Sequence, residues 1–368
     1  MVSGALELIQ SDHSVLVPRF AIGDHLLCEP DYRQILMWAE ELDFTPEQVL
    51  EQLLRMPDHE QRSWCWEEIR TVIESGRLKF IALNRNWLPV DYTRWQQGLE
   101  VESLVVWGGP DNISSFAPDM PELRQLYVED LKLTILGLEA VPALRSLVCD
   151  KNQLTNLDLA SVRKLESLSC SYNRLQGLDL CAVPALRLLV CDNNQLAELQ
   201  IGALPALEWL DCGYNQLSKL DLSAVPALEW LHCRHNQLTK LDLSAVPALG
   251  SLDCGHNQLT KLDLSAVPAL EKLDCNNNHL TTLDLRTAAE LRSLSCWANR
   301  LTELDLTAVP HLRWLYCGGN KLTTLDLSAV PAIRKIQCEN NRVAELELSG
   351  LSVLEEVFCD GNQLVVVS

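Results

Sequence analysis

Cysteines stand at positions 149, 170, 191, 212, 233, 254, 275, 296, 317, 338 and 359, each 21 residues after the last. An asparagine follows three residues after every one, from Asn152 and Asn173 through to Asn341 and Asn362. Around Cys233 the accompanying apolar positions are Leu228, Leu231, Leu238, Leu241, Leu243 and Val246, followed by Pro247. The unit is L-x-x-L-x-C-x-x-N-x-L-T-x-L-D-L-S-A-V-P-A, in eleven successive copies. A period this strict excludes an ordinary globular core. One copy cannot bury its apolar face alone, so neighbours stacked above and below must cover it.

Each copy has a physical reading. Leu231 and Cys233 alternate with outward residues, the period of a short β-strand. Asn236 ends the strand, where its amide can satisfy backbone groups at the bend. The remaining leucines bring the chain back over the core, and Pro247 starts the next turn. With strands about 4.8 Å apart, the cysteines form an internal column. In-register thiols point the same way, which suits packing as small hydrophobes rather than disulfide geometry. A reduced ladder predicts a cytoplasmic location, with export by a signal-less route as the alternative. Cys28, Cys65 and Cys181 lie off the ladder.

The pattern resembles leucine-rich repeat proteins, and the 21-residue length with Cys at the third apolar strand position looks most like bacterial cysteine-ladder repeats of the internalin J type. Bacterial leucine-rich repeat effectors are a more distant likeness. The resemblance covers residues 123–368. It implies a right-handed α/β horseshoe solenoid, with a parallel β-sheet on the concave face and short 3₁₀ or extended segments outside.

Upstream, the ladder degenerates. Leu123-x-x-Leu126-x-Val128 fits, with Val in place of Cys and Leu131 in place of Asn; Leu78-x-x-Ile81-x-Leu83-x-x-Asn86 fits again. Residues 78–122 therefore read as degenerate repeats. Residues 1–77 read as a small, largely α-helical cap. Ile35, Trp38, Ala39 and Leu42 have helical spacing. Thr45-Pro46-Glu47-Gln48 is a good helix start before a second helix to Met56, and a third is expected over Gln61–Ser75.

The remaining features narrow the function. No run of 18 apolar residues predicts a membrane span, and no basic n-region precedes an apolar stretch at the N-terminus. A net charge of −20 over 368 residues argues against a nucleic-acid backbone as partner. The first 77 residues show no G-x-S-x-G, P-loop or metal-ligand spacing, so an enzyme is not expected. The alternative is a bacterial effector or enzyme whose N-terminal region carries activity and whose repeats select the target. No cofactor and no metal are expected. His232-Cys233-Arg234-His235 looks like a metal site, but the repeat register turns Cys233 inward and its neighbours outward. A column of carboxylates from Asp158 to Asp326 reads as local hydrogen bonding to the following turn rather than as calcium ligands. Acidic residues crowd the last repeat, where self-association through an open edge is the alternative to a blunted one.

Function should sit where copies differ while exposed, on the outward strand positions. These bring together Trp209, Asp211, Tyr214, Trp230, His232, Arg234, His235, Asp253, His256 and Asp274. Trp297, Trp314 and Tyr316 form a second aromatic group. Exposed Trp and Tyr dominate interface energetics, so the expected function is non-catalytic binding of a protein partner on the concave face. Sugar stacking, or aromatics merely packing on each other, are the alternatives. His232 between two aspartates and His235 beside His256 raise the expectation of a pH-sensitive contact.

Overall fold

The computed structural model describes Leu6–Ile9, Val17–Ile22, His25–Cys28, Ile35, Pro46, Gln48, Val72–Glu74, Arg77–Asn84 and residues 101–107 and 114–367. The chain forms two compact units, Met1–Leu165 and Glu166–Ser368.

In the second unit every rung opens with a three-residue strand, from Ser167–Ser169 and Leu188–Val190 through Trp209–Asp211, Trp230–His232 and Ser251–Asp253 to Lys335–Gln337 and Glu356–Phe358. The strands pair parallel in sequence order without offset, so Leu210, Leu231 and Leu252 lie side by side. In every strand but the last, the middle residue and the following cysteine are buried, whereas the flanking strand residues are mostly half-buried. The 21-residue spacing is therefore the sheet register itself.

The return path explains Pro247. Val246 N–H donates to Leu243 O at 3.2 Å and Leu249 N–H to Val246 O at 3.1 Å, two β-turns joined at Val246. Pro247 occupies the second position of the second turn, where its fixed φ costs nothing. Asp242 Oδ1 accepts from Ser244 N–H at 2.9 Å, leading into the first turn. The α/β class expected for the horseshoe is corrected here: residues 114–367 contain no helix. Twenty-one residues, less a strand and its bend, leave room for two turns, and the proline interrupts any helical hydrogen bonding.

The asparagines tie consecutive rungs together. Asn236 Nδ2 donates to Cys212 O at 3.0 Å in the preceding rung and to Cys233 O at 3.1 Å in its own. Its Oδ1 accepts from Leu217 N–H at 2.9 Å. The same bonds recur at Asn215, Asn257, Asn278, Asn299, Asn320 and Asn341. These carbonyls and amides are buried, and leaving one unpaired costs about 1–3 kcal/mol. No other side chain of this size offers both a donor and an acceptor of that reach.

The first unit differs. Leu6–Ile9, Val17–Ile22 and His25–Cys28 form an antiparallel meander, with Ile22 opposite His25 across Gly23-Asp24. Val72–Glu74 runs antiparallel to Arg77–Asn84. The hairpin corrects the third expected helix, Gln61–Ser75, at Val72–Glu74, and the meander lies outside all three expected helices. Val72 and Ile73 are β-branched and Gly76 falls between the paired Glu74 and Arg77, a composition that favours a hairpin over a helix ending at Ser75. Ile35, Pro46 and Gln48 carry helical backbone; the rest of the expected helices lies outside the described residues. Arg77–Asn84 pairs parallel with Ser103–Trp107, and that strand with Gln125–Val128. Leu83, Val106 and Val128 thus share one register column, continued at Cys149.

Candidate functional site

The zero-offset register places outward residues of successive rungs in rows. Trp209 and Trp230 are direct strand neighbours and stack, with ring centroids 5.0 Å apart and planes at 17°. His232 meets Trp209 edge-on at 5.7 Å, and Lys272 Nζ lies 5.6 Å from the Trp230 ring. Both indoles are half-buried. The stack gives them a packing role, one of the alternatives the sequence raised, and leaves both rings partly exposed. An open groove of about 420 Å³ runs along this end of the strands, lined by Glu166, Arg187, Glu208, Glu229 and the two tryptophans.

Beside the tryptophans lies a charged row. His232 Nδ1 is 3.7 Å from Asp211 Oδ2, and the Asp211 carboxylate beside it raises its pKa above the ordinary histidine value. Arg234 Nη1 is 3.8 Å from Asp253 Oδ2, and Arg234 also donates to the Tyr214 hydroxyl. Asp253 and Asp274 are register neighbours. Burial, with Asp253 nearby, raises the Asp274 pKa.

The position two after each cysteine carries a feature that periodicity does not show. Tyr172, Asn193, Tyr214, His235, His256, Asn277, Ala298 and Asn340 all have φ between 50 and 53 apart from Tyr214 at 49, in the left-handed region. Glycine or asparagine suits that conformation; a tyrosine or histidine there is strained by about 1–3 kcal/mol. Three such residues stack: Tyr214 on His235 at 4.2 Å, and His235 on His256 at 3.9 Å. Burial and the neighbouring His256 lower the His235 pKa. Asn277 Nδ2 lies 3.2 Å from His256 Nε2. The two adjacent histidines thus titrate in opposite directions from their ordinary value: His232 up, His235 down.

The second aromatic group is not brought together. Trp297 lies across the next rung, where a side-chain carbon on Gly318 would come within 2.6 Å of its Nε1. Trp314 faces Ser293 and Lys335, and Tyr316 faces Ser295 and Gln337. Among the described residues no ring contact joins these three.

The outer carboxylates behave as turn residues. Asp221, Asp263 and Asp326 each accept from the backbone N–H two residues on at 2.9 Å. That bond lowers their pKa values. Among the described residues, no group of three or more His, Cys, Asp or Glu could hold a metal. Cys233 is fully buried, away from His232 and His235. Burial drives the ladder thiols upward, to about 12 at Cys296 and Cys338.

The family profile described as "Leucine Rich repeats (2 copies)" matches residues 226–266 and 247–288. The functional domain of InlJ from Listeria monocytogenes, which includes a cysteine ladder, is 34% identical over 63% of this chain and 52% of its own length, with a TM-score of 0.62. The matched residues are leucine-rich repeats. Their buried cysteine ladder is similar to that of the InlJ domain. The leucine-rich effector protein YopM from Yersinia pestis is 29% identical over 72% of this chain and 79% of its own, with a TM-score of 0.61. A leucine-rich repeat protein of Leptospira interrogans shares the fold at 20% identity, TM-score 0.62, covering 77% of this chain and 83% of that one. The chain spans about half the length of the InlJ domain, 52%. No curated protein matches it.

Proposed function

We propose that this leucine-rich-repeat array is a non-catalytic interaction module that grips a protein partner on its strand face, the concave face of such solenoids. Leucine-rich-repeat solenoids are mostly protein-interaction modules. The observation that carries the reading is the contrast within each rung. The buried positions repeat almost without change, whereas the outward positions of Trp209–Asp211, Trp230–His232, Ser251–Asp253 and Lys272–Asp274 vary and hold the stacked indoles, His232 and the aspartates. Stacked, half-buried indoles are anchors of the kind that dominate interface energies. The strained Tyr214–His235–His256 stack adds to the same surface. The reduced ladder supports a reducing compartment such as the cytoplasm.

Affinity capture from the native cell with the wild-type chain and a Trp209→Ala/Trp230→Ala variant tests the assignment. The variant keeps every buried leucine and asparagine, so its fold should persist by circular dichroism. The expected result is loss of the partner by at least tenfold; equal recovery would remove the indole stack from the interface.

A further inference from the structure

A second charged row lies one residue before each strand. In five consecutive rungs it reads Glu271, Arg292, Arg313, Arg334 and Glu355. Backbone bonds hold the row in register: Arg313 N–H donates to Arg292 O and Arg334 N–H to Arg313 O, both at 2.8 Å. The outer arginines are committed. Arg292 Nε is 3.5 Å from Glu271 Oε2, and Arg334 Nη1 is 2.8 Å from Glu355 Oε1. Arg313, between them, is exposed and has no carboxylate partner among the described residues. The nearby Lys335 does not change this, because its Nζ is bound to Glu356 Oε2 at 2.6 Å.

Three arginines on adjacent strands, whose backbones lie about 4.8 Å apart, place like charges side by side. Two glutamates relieve the ends and nothing relieves the centre, so the row is left with a single uncompensated positive charge in a chain of net charge −20. A guanidinium presents a planar fork of donors that matches a carboxylate. Trp314 follows Arg313 directly and is exposed. Its strand neighbours are Ser293 and Lys335, so no aromatic ring covers its face.

We infer that Arg313 and Trp314 form a docking site for an extended acidic segment of a protein partner, one carboxylate closing the gap in the Glu271–Glu355 row while an adjacent apolar or aromatic side chain lies on the indole. The inference rests on the strand face being a partner-binding surface, and adds the chemistry of what binds at this end of it. One residual charge selects a carboxylate over a phosphate dianion, which would leave the row overneutralised. The periodic consensus hides the site, since Arg313 stands at a position where the other rungs carry Glu, Gly or paired Arg.

Fluorescence anisotropy of the full chain with a fluorescein-labelled peptide Gly-Ser-Glu-Phe-Ser-Gly tests it, with Gln and phosphoserine replacing Glu in two control peptides. Binding of the Glu peptide is expected to be at least tenfold tighter than of the Gln peptide. It should fall at least tenfold in Arg313→Glu and survive in Trp209→Ala/Trp230→Ala. Trp314→Ala should weaken it severalfold. Glu-peptide affinity unchanged in Arg313→Glu, or equal for the Gln peptide, would overturn the site, and a phosphopeptide bound tenfold more tightly would overturn the carboxylate assignment. Binding lost only in the double tryptophan variant would sink this proposal and leave the interaction surface standing, whereas loss in neither variant would count against both.

Discussion

Two rungs solve one problem with different residues. The rung of Cys233 and Asn236 closes its bend with a buried amide bonded to both neighbouring carbonyls, and a single left-handed residue, His235, precedes it. The rung of Val128 and Leu131 has no such amide. Two left-handed residues, Asp130 and Lys132, bracket Leu131 instead. Asn152 of the next rung accepts from both Leu131 N–H at 3.1 Å and Leu133 N–H at 3.0 Å, and donates to Val128 O at 2.6 Å. The first regular asparagine therefore serves its own rung and the defective one before it. Ladder asparagines such as Asn236 also reach back to the preceding rung; Asn152 differs in accepting a second backbone N–H, from Leu131, and the defective rung carries a second left-handed residue.

That difference can be broken most severely at the amide. Asn236→Ala should destabilise the chain by about 2–5 kcal/mol, since one acceptor and two donors leave buried partners unpaired. Leu131→Ala removes no side-chain hydrogen bond and should cost about 2–5 kcal/mol through the cavity it leaves. Urea unfolding measures both losses, and an unchanged midpoint in Asn236→Ala would show that the asparagine bonds are energetically idle. Next in size, Cys233→Ser places a hydroxyl in an apolar column and should cost about 1–3 kcal/mol. Val128→Cys, the reverse step in the degenerate rung, should change stability by less than about 1.5 kcal/mol.

Smaller effects come from the left-handed column. Tyr172→Gly should be neutral or stabilising by up to about 1 kcal/mol, relief of the φ of 53 outweighing the added chain entropy. A rise in thermal midpoint would show that tyrosine is held there against the fold. A clear fall would show that its ring packs productively.

The smallest effect is the pH dependence. His232 has a raised folded pKa, so its contribution is complete below the unfolded value of about 6.5 and is lost as pH rises through the folded value. His235 has a lowered one, so its contribution is present above the unfolded value and is lost as pH falls. The two oppose each other and flatten the wild-type profile. His232→Gln should therefore lower the thermal midpoint more at pH 5.5 than at pH 8.0. An equal drop at both would rule out protonation as the source of its contribution.

The array was legible because repetition multiplies a weak local signal: one Leu-x-Cys is ambiguous, and eleven at one spacing are not. The first unit offered no such averaging. Ile35, Trp38 and Leu42 gave a helical period, but Val72–Glu74 turns back onto Arg77–Asn84 in a tight hairpin, where β-branched residues beside a glycine outweigh the helical reading. The binding rows were legible as positions, since register follows from the period. Their contacts were not. Trp209 and Trp230 stack, while Trp297 turns onto Gly318 because the absent side chain there leaves room for its ring.

By itself, the sequence determined the solenoid, its register, the inward cysteines and the bridging asparagines, because a 21-residue period with one apolar face has one way to bury it. Only the tertiary structure decided which outward groups meet. The direction of a histidine's pKa shift and the vacancy beside Arg313 depend on charges one strand away, which the one-dimensional chain keeps 21 residues apart.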